Sequence, residues 1–213
     1  MKPRAPLYEL ASPGGVAGRA ELQAVLESAA GPLRLVGWSF TGADLHGLDL
    51  HGCQFSRCRA PQANLSAADL TEATFENCDL SNTNWRGARL SAVRFSGCKL
   101  TGAQFQEATT LGLSFSQSLL VNASVRRVSF RKQIVEGVNF SGADLAGCDF
   151  RDAELLECSL RDANIVDAQF EGADLRGADL GELQLADARR FRGAVISRSQ
   201  ATLLVGALGL KVR

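Results

Sequence analysis

From Phe40 to Leu185 every fifth position except Thr110 holds an apolar residue, and the phase never slips. Of these 30 positions, 24 are Leu or Phe; Ala60, Trp85, Thr110, Val125, Val135 and Ile165 are the exceptions. Two residues before each such centre sits a mostly small side chain, as at Ala43, Cys53, Cys58, Ala63, Ala68, Ala73 and Cys78. The residues between are Gly, Asp, Asn, Ser, Arg and Gln. Five residues advance a helix by about 500°, so helical centres would scatter around the axis. A strand alternates with period two, which five also breaks. The pattern asks instead for a short extended piece and a corner, repeated, with two residues per quintet pointing inward.

A longer echo sets the size of one turn. Phe55-x-x-Cys58, Phe75-x-x-Cys78 and Phe95-x-x-Cys98 recur at 20 residues, followed by Phe115-x-x-Ser118. Twenty residues are four quintets, so each coil is four-sided, and equivalent residues stack about 4.8 Å apart at strand spacing. Phe55, Phe75, Phe95 and Phe115, with Cys58, Cys78 and Cys98, are therefore assigned to the core.

The ends read differently. Residues 1–18 carry Pro3, Pro6, Pro13 and Gly14-Gly15 and are expected to form a flexible tail. In 19–34, Leu22, Val25, Leu26 and Ala29 share one helix face that ends at Gly31-Pro32, predicting a helix that caps the solenoid. The repeat body spans 35–197, with one extra residue near Arg189-Arg190 shifting the phase to Phe191 and Ile196. A short helix and tail occupy 198–213.

Composition narrows the chemistry. No run approaches the length of an apolar membrane span, and no apolar stretch follows Met1-Lys2-Pro3-Arg4, so neither a transmembrane helix nor a secretory leader is expected. All six cysteines, at 53, 58, 78, 98, 148 and 158, fall in the inward small-residue slot. An evenly spaced column does not converge tetrahedrally on a metal, so these are structural thiols of a reducing cytoplasm, and no metal or cofactor is expected. His46 and His51 follow centres and face solvent with no third group beside them. No phosphate loop, nucleophile elbow or zinc-helix motif occurs, and a rod filled with side chains has no interior pocket. The chain reads as a non-enzyme that presents a surface to a partner.

Net charge is zero over 213 residues, but the charge is unevenly placed. Residues 139–187 carry twelve acids against three bases, whereas 81–138 carry eight bases against two acids. The stretch 189–213 adds six bases and no acid. Glu154 and Asp174, Asp162 and Glu182, and Asp167 and Asp187 are 20 residues apart and so share columns. The candidate partner-binding residues are Asp144, Asp149, Glu154, Asp162, Asp167, Asp174, Asp179 and Glu182.

Quintets such as Ala43-Asp44-Leu45, Ala173-Asp174-Leu175-Arg176-Gly177 and Ala178-Asp179-Leu180 resemble the A(D/N)LXX signature of the pentapeptide-repeat family. The resemblance covers roughly residues 35–188 and implies an all-β, right-handed quadrilateral β-helix. About 7.5 coils would form a rod on the order of 36 Å long. Val93-Arg94-Phe95-Ser96-Gly97-Cys98-Lys99-Leu100 and the tail Gln200-Ala201-x-Leu203-Leu204…Leu208-Gly209-Leu210 are similar to segments of the quinolone-resistance (Qnr) proteins. That group, with the MfpA-type and albicidin-resistance proteins, is described as DNA mimics that bind type II topoisomerase. The resemblance implies binding to DNA gyrase or a related enzyme, protection from topoisomerase poisons, and no direct contact with nucleic acid or membrane. It also implies a homodimer through the tail, in which Leu203, Leu204, Leu208 and Leu210 would take part. The chain departs from Qnr in being neutral overall and in having an unbroken register without extruded loops, which makes the MfpA type the nearer comparison. A scaffold solenoid with an unrelated partner is the alternative reading, and there the basic band at 81–138 would matter as much as the acidic block.

Overall fold

The structure is a computed structural model that describes residues 8–29, 31–181 and 185–207, with the backbone alone at 185–187 and Ala207. Its strands are β1 (Tyr8–Ala11), β2 (Leu33–Val36), β3 (Gln54–Ser56), β4 (Thr74–Glu76), β5 (Arg94–Ser96), β6 (Ser114–Ser116), β7 (Ile134–Glu136), β8 (Glu154–Ser159) and β9 (Asp174–Asp179). Two helices, α1 (Arg19–Ser28) and α2 (Arg198–Ala207), and a 3-10 segment at Leu185–Phe191 complete the described elements. The strands form one parallel sheet in chain order, and from β2 onward the register advances by one coil of four quintets per strand: Leu35 opposes Phe55, Phe55 opposes Phe75, Phe75 opposes Phe95. A parallel ladder that returns to the same side once per coil is a β-solenoid, here of about seven turns.

The sheet occupies one side of the rod, called side 1. The other three sides are held by isolated parallel bridges such as Arg59↔Asp79 on side 2, Asn64↔Asn84 on side 3 and Asp49↔Asp69 on side 4. The corners explain the five-residue period. Phe40 accepts from Ala43 N–H at 3.0 Å with Gly42 at φ +64° between them, the geometry of a type II turn. Among the described corners the residue two after the centre repeats this positive φ around the rod, except at Gly177, which lies within β9. Gly serves many corners, while Asn77, Asn82, Asn122 and Asp152 tolerate the left-handed region at others. At Gly97 an added Cβ would crowd Asn77 Oδ1 of the coil below, so any other residue there would have to displace that side chain.

Inside, the predicted centres are buried, with Thr110 and Ile165 half-buried among the described ones. Phe55, Phe75, Phe95 and Phe115 stack with centroids 4.6, 4.9 and 5.2 Å apart on side 1. The ladder then changes sides. Val135 takes the side 1 position, Phe130 takes side 4, and Phe115 meets Phe130 at 6.2 Å with the rings tilted. It continues through Phe150, Phe170 and Phe191 at 4.7, 4.8 and 4.7 Å. At the handover the β6–β7 pairing shrinks to Ser116↔Glu136. Phe191, and not Arg190, stacks on Phe170, as the extra residue near Arg189 requires.

All six cysteines are buried free thiols. Cys58, Cys78 and Cys98 donate weakly to the carbonyls of Leu35, Phe55 and Phe75 in the coil below, at 3.3–3.4 Å. Burial pushes the thiols of Cys148 and Cys158 up to about 12 and about 11. Thr83 and Trp85 are buried too, and Trp85 Nε1 donates to Thr83 Oγ1, which donates onward to Leu80 O. No buried side-chain polar atom among the described residues lacks a partner.

The N-terminal segment differs from the expected flexible tail. Tyr8–Ala11 pairs in parallel with Leu33–Val36, Trp38 Nε1 donates to Leu10 O at 3.0 Å, and Glu9 pairs with Arg34. The physical reason is the first coil's edge, whose N–H and C=O groups need a partner; so short a strand does not announce itself by period. The capping helix is also shorter than 19–34: it ends at Ser28, and Leu33 and Arg34 belong to β2. Leu22 is fully buried under it, with Val25, Leu26 and Ala29 packed against the core. At the other end Gln200 fastens α2 to the last coil, donating from Nε2 to Leu175 O and Ala178 O, both at 2.7 Å.

Candidate functional site

The outward residues occupy three slots per quintet: one just before each centre on the flat of a side, and two at the corner after it. The acid-rich coils therefore distribute their charge around the rod. Glu154 and Asp174 lie in register on side 1, Asp179 on side 2, Asp144 on side 3 and Asp149 on side 4. Asp162 and Asp167 sit at the corners that follow sides 2 and 3, with φ +58° each. Of the eight candidate residues, the structure stacks Glu154 on Asp174 on side 1 and spreads five others over the remaining three sides and their corners. Glu182 lies outside the described residues.

Many of these carboxylates are neutralised locally, which the sequence reading missed. Arg151 forks onto Asp149 at 2.8 and 2.7 Å, Arg161 reaches Asp179 at 2.8 Å, and Arg176 pairs with Asp174. From the basic band Arg126 reaches up to Asp144 at 3.0 Å, and Arg131 lies 3.8 Å from Asp152. The hydrogen bonds from Arg151, Arg176 and Arg161 hold the carboxyls of Asp149, Asp174 and Asp179 below their ordinary range. The signal was present as spacing: an Arg placed two positions after an Asp, or one coil less a corner before it, shares its corner or its neighbouring level. Glu154, Glu157, Asp162, Asp167 and Glu171 make no ion pair among the described residues and carry the residual negative field.

Side 3 carries a second feature hidden from a charge count. Asn64 Nδ2 donates to Asp44 Oδ1, Asn84 Nδ2 to Asn64 Oδ1, and Asn164 Nδ2 to Asp144 Oδ1, at 2.9, 3.0 and 2.9 Å. These amides tie successive coils together. His46 and His51 are exposed as expected; His46 Nδ1 lies 2.9 Å from Ser66 Oγ, and His51 lines an open cleft of about 500 Å³ beneath α1 with Glu27 and Asp49. Among the described residues no group of three or more His, Cys, Asp or Glu could hold a metal ion. No helix among them is long and apolar enough to cross a membrane. On α2 Leu203 is 74% exposed and Leu204 half-buried, while Leu208 and Leu210 lie outside the described residues.

A four-sided parallel solenoid, filled with side chains and charged unevenly along its length, defines a rigid rod whose variable surface is entirely outward. Two family models match it, a pentapeptide repeat region over residues 48–125 and pentapeptide repeats over 34–60, 112–152, 139–177 and 153–189. The chain belongs to the pentapeptide-repeat family. Among solved structures it is similar to full-length QnrB1, a plasmid-mediated fluoroquinolone resistance protein, with a TM-score of 0.78 and 23% identity over 96% of this chain and 100% of that one. A trypsin-treated form of QnrB1 gives 0.75 and 24%, covering 98% of each chain. At that identity the likeness establishes the shared fold. No curated protein matches the sequence.

Proposed function

We propose that the protein is a non-catalytic DNA mimic of the cytoplasm that binds a type II topoisomerase such as DNA gyrase and modulates it or protects it from poisons. The observation that carries this reading is linear charge density. The described residues 139–181 hold seven net negative charges over about 10 Å of rod, about one per 1.5 Å. Allowing for Arg126 and Arg131, which reach in from the basic band, the figure is about one per 2 Å, near the ~1.7 Å of duplex DNA. The spread of acids over several sides suits a groove that wraps a cylinder, and the filled core keeps the charges at fixed spacing. QnrB1's description as a fluoroquinolone resistance protein on the same fold supports the reading. Exposed Leu203 on α2 supports a homodimer through the C-terminal segment, which would set an acidic rod on either side of a central axis.

The second reading, an interaction scaffold for an unrelated partner, is favoured by the ion pairing that blunts half of the described acids. Gyrase supercoiling, with and without a fluoroquinolone, separates the two. The wild type is expected to inhibit the enzyme or to relieve drug-stabilised cleavage. A variant carrying Glu154→Lys, Glu157→Lys, Asp162→Lys and Asp167→Lys is expected to do neither. These sites are exposed, and Lys132 already occupies an equivalent corner, so the fold should persist. No effect of the wild type at concentrations well above the enzyme would overturn the mimic and favour the scaffold.

A further inference from the structure

Side 1 carries the strand ladder of the rod and, on its outward face, an ordered sequence of charge and apolarity. Reading up its outward column, exposed Arg94 is followed by Ser114, Ile134 and Glu154. Neither Arg94 nor Glu154 has an ion-pair partner among the described residues. Between them Ile134 is 65% exposed on an open sheet face, where a polar residue would be the ordinary choice. Leu111, 84% exposed, lies at the corner that leads into β6, and Leu156, 40% exposed, at the corner one level above Glu136. These side chains form a mid-rod apolar strip with a cation below and an anion above, neither in an ion pair among the described residues. It sits where the aromatic ladder changes sides and the β6–β7 pairing is thinnest.

The arrangement is self-complementary. Arg94 and Glu154 are three levels apart, about 14 Å, with the midpoint between the levels of Ser114 and Ile134. We propose that side 1 is a self-association surface, on which a second copy of this chain packs antiparallel about a two-fold axis crossing that midpoint. Such an axis sets Arg94 of each copy opposite Glu154 of the other, making two equivalent ion pairs. It sets each Ile134 about 5 Å along the rod from its counterpart, with the two Leu111 side chains beside them. An isologous contact of this kind needs one patch that contains its own complement, and this strip does. Rods packed in parallel would instead oppose like charges, so the charge order selects the antiparallel arrangement. The β7 level lies two coils from the coil that anchors α2, so contact through side 1 leaves the C-terminal segment unobstructed.

Sedimentation equilibrium in a Leu203→Asp background, from low micromolar to several hundred micromolar protein, tests this apart from any C-terminal contact. The expected result is reversible monomer–dimer behaviour that weakens with salt. Ile134→Asp should raise the dissociation constant at least ~10-fold, because it puts charge into the apolar centre. Arg94→Glu should raise it about 10-fold by opposing carboxylates at both ends, and Arg94→Glu with Glu154→Arg should restore it. All three sites are exposed, so circular dichroism should report an unchanged fold. A monomer at every concentration, or a mass indifferent to Ile134→Asp, would overturn the proposal and leave side 1 to a different partner. A paired swap no tighter than Arg94→Glu alone would overturn the antiparallel register.

Discussion

Replacing Phe75 by alanine probes whether the stacked core behaves as a ladder or as a set of separate contacts. Phe75 is 2% exposed and meets Phe55 at 4.6 Å, Phe95 at 4.9 Å and the edge of Trp85 at 5.5 Å. Truncating a buried Phe to Ala costs about 3–5 kcal/mol, and the outcome depends on how far the site can collapse. Here it cannot collapse easily, because each coil's height is fixed by main-chain bonds above and below. Three aromatic contacts, each contributing about 0.5–1.5 kcal/mol beyond area, are lost with the ring. We therefore expect a cost of about 5 kcal/mol for Phe75→Ala, the upper end of that range. Phe191→Ala, at a half-buried site with a single stacked neighbour at 4.7 Å, should cost about 2 kcal/mol. Guanidinium unfolding followed by circular dichroism and by the emission of Trp85, which is buried against Phe75, measures both. Costs for the two variants that agree to within about 1 kcal/mol would refute the reasoning, since two-sided stacking would then add nothing to one-sided stacking.

The cap and the ion pairs give two more tests. Gln200→Ala leaves the carbonyls of Leu175 and Ala178 and the N–H of Ser197 without their side-chain partner; a loss of about 2 kcal/mol is expected, and limited proteolysis should cut faster around α2 while the coils before it stay protected. Asp149, Asp174 and Asp179 titrate below the ordinary value of 3.8 in the folded chain, so their contribution is fully present above that pH and is lost as pH falls through their depressed values. Thermal melts should show a matching decline in stability below about pH 4, shallower when Arg151, Arg161 and Arg176 are all changed to Gln; identical acid limbs for the two proteins would count against the pairing.

The period, the four-sided coil, the inward columns and the burial of all six cysteines follow from residue order alone. They can do so because a solenoid coil touches only its neighbours, and a fixed sequence offset becomes a fixed spatial neighbour. Residue order also offered a helix on the apolar face Leu22–Ala29, which ends at Ser28 rather than at 34, and the phase shift before Phe191. Folding in three dimensions added what the period cannot carry. Strand β1 was hidden because Tyr8–Ala11 is short and gains its reason from an edge distant in the chain, that of Leu33–Val36. The acids read as one block because charge was counted along the chain. In space their corners turn through four sides, and arginines of the same corner or of an adjoining level reach half of the described ones. The handover of the aromatic ladder at Phe115–Phe130, and the exposed Ile134 beside it, are likewise properties of stacked levels: the five-residue rule says which residues face inward, and only the levels above and below say what each one meets.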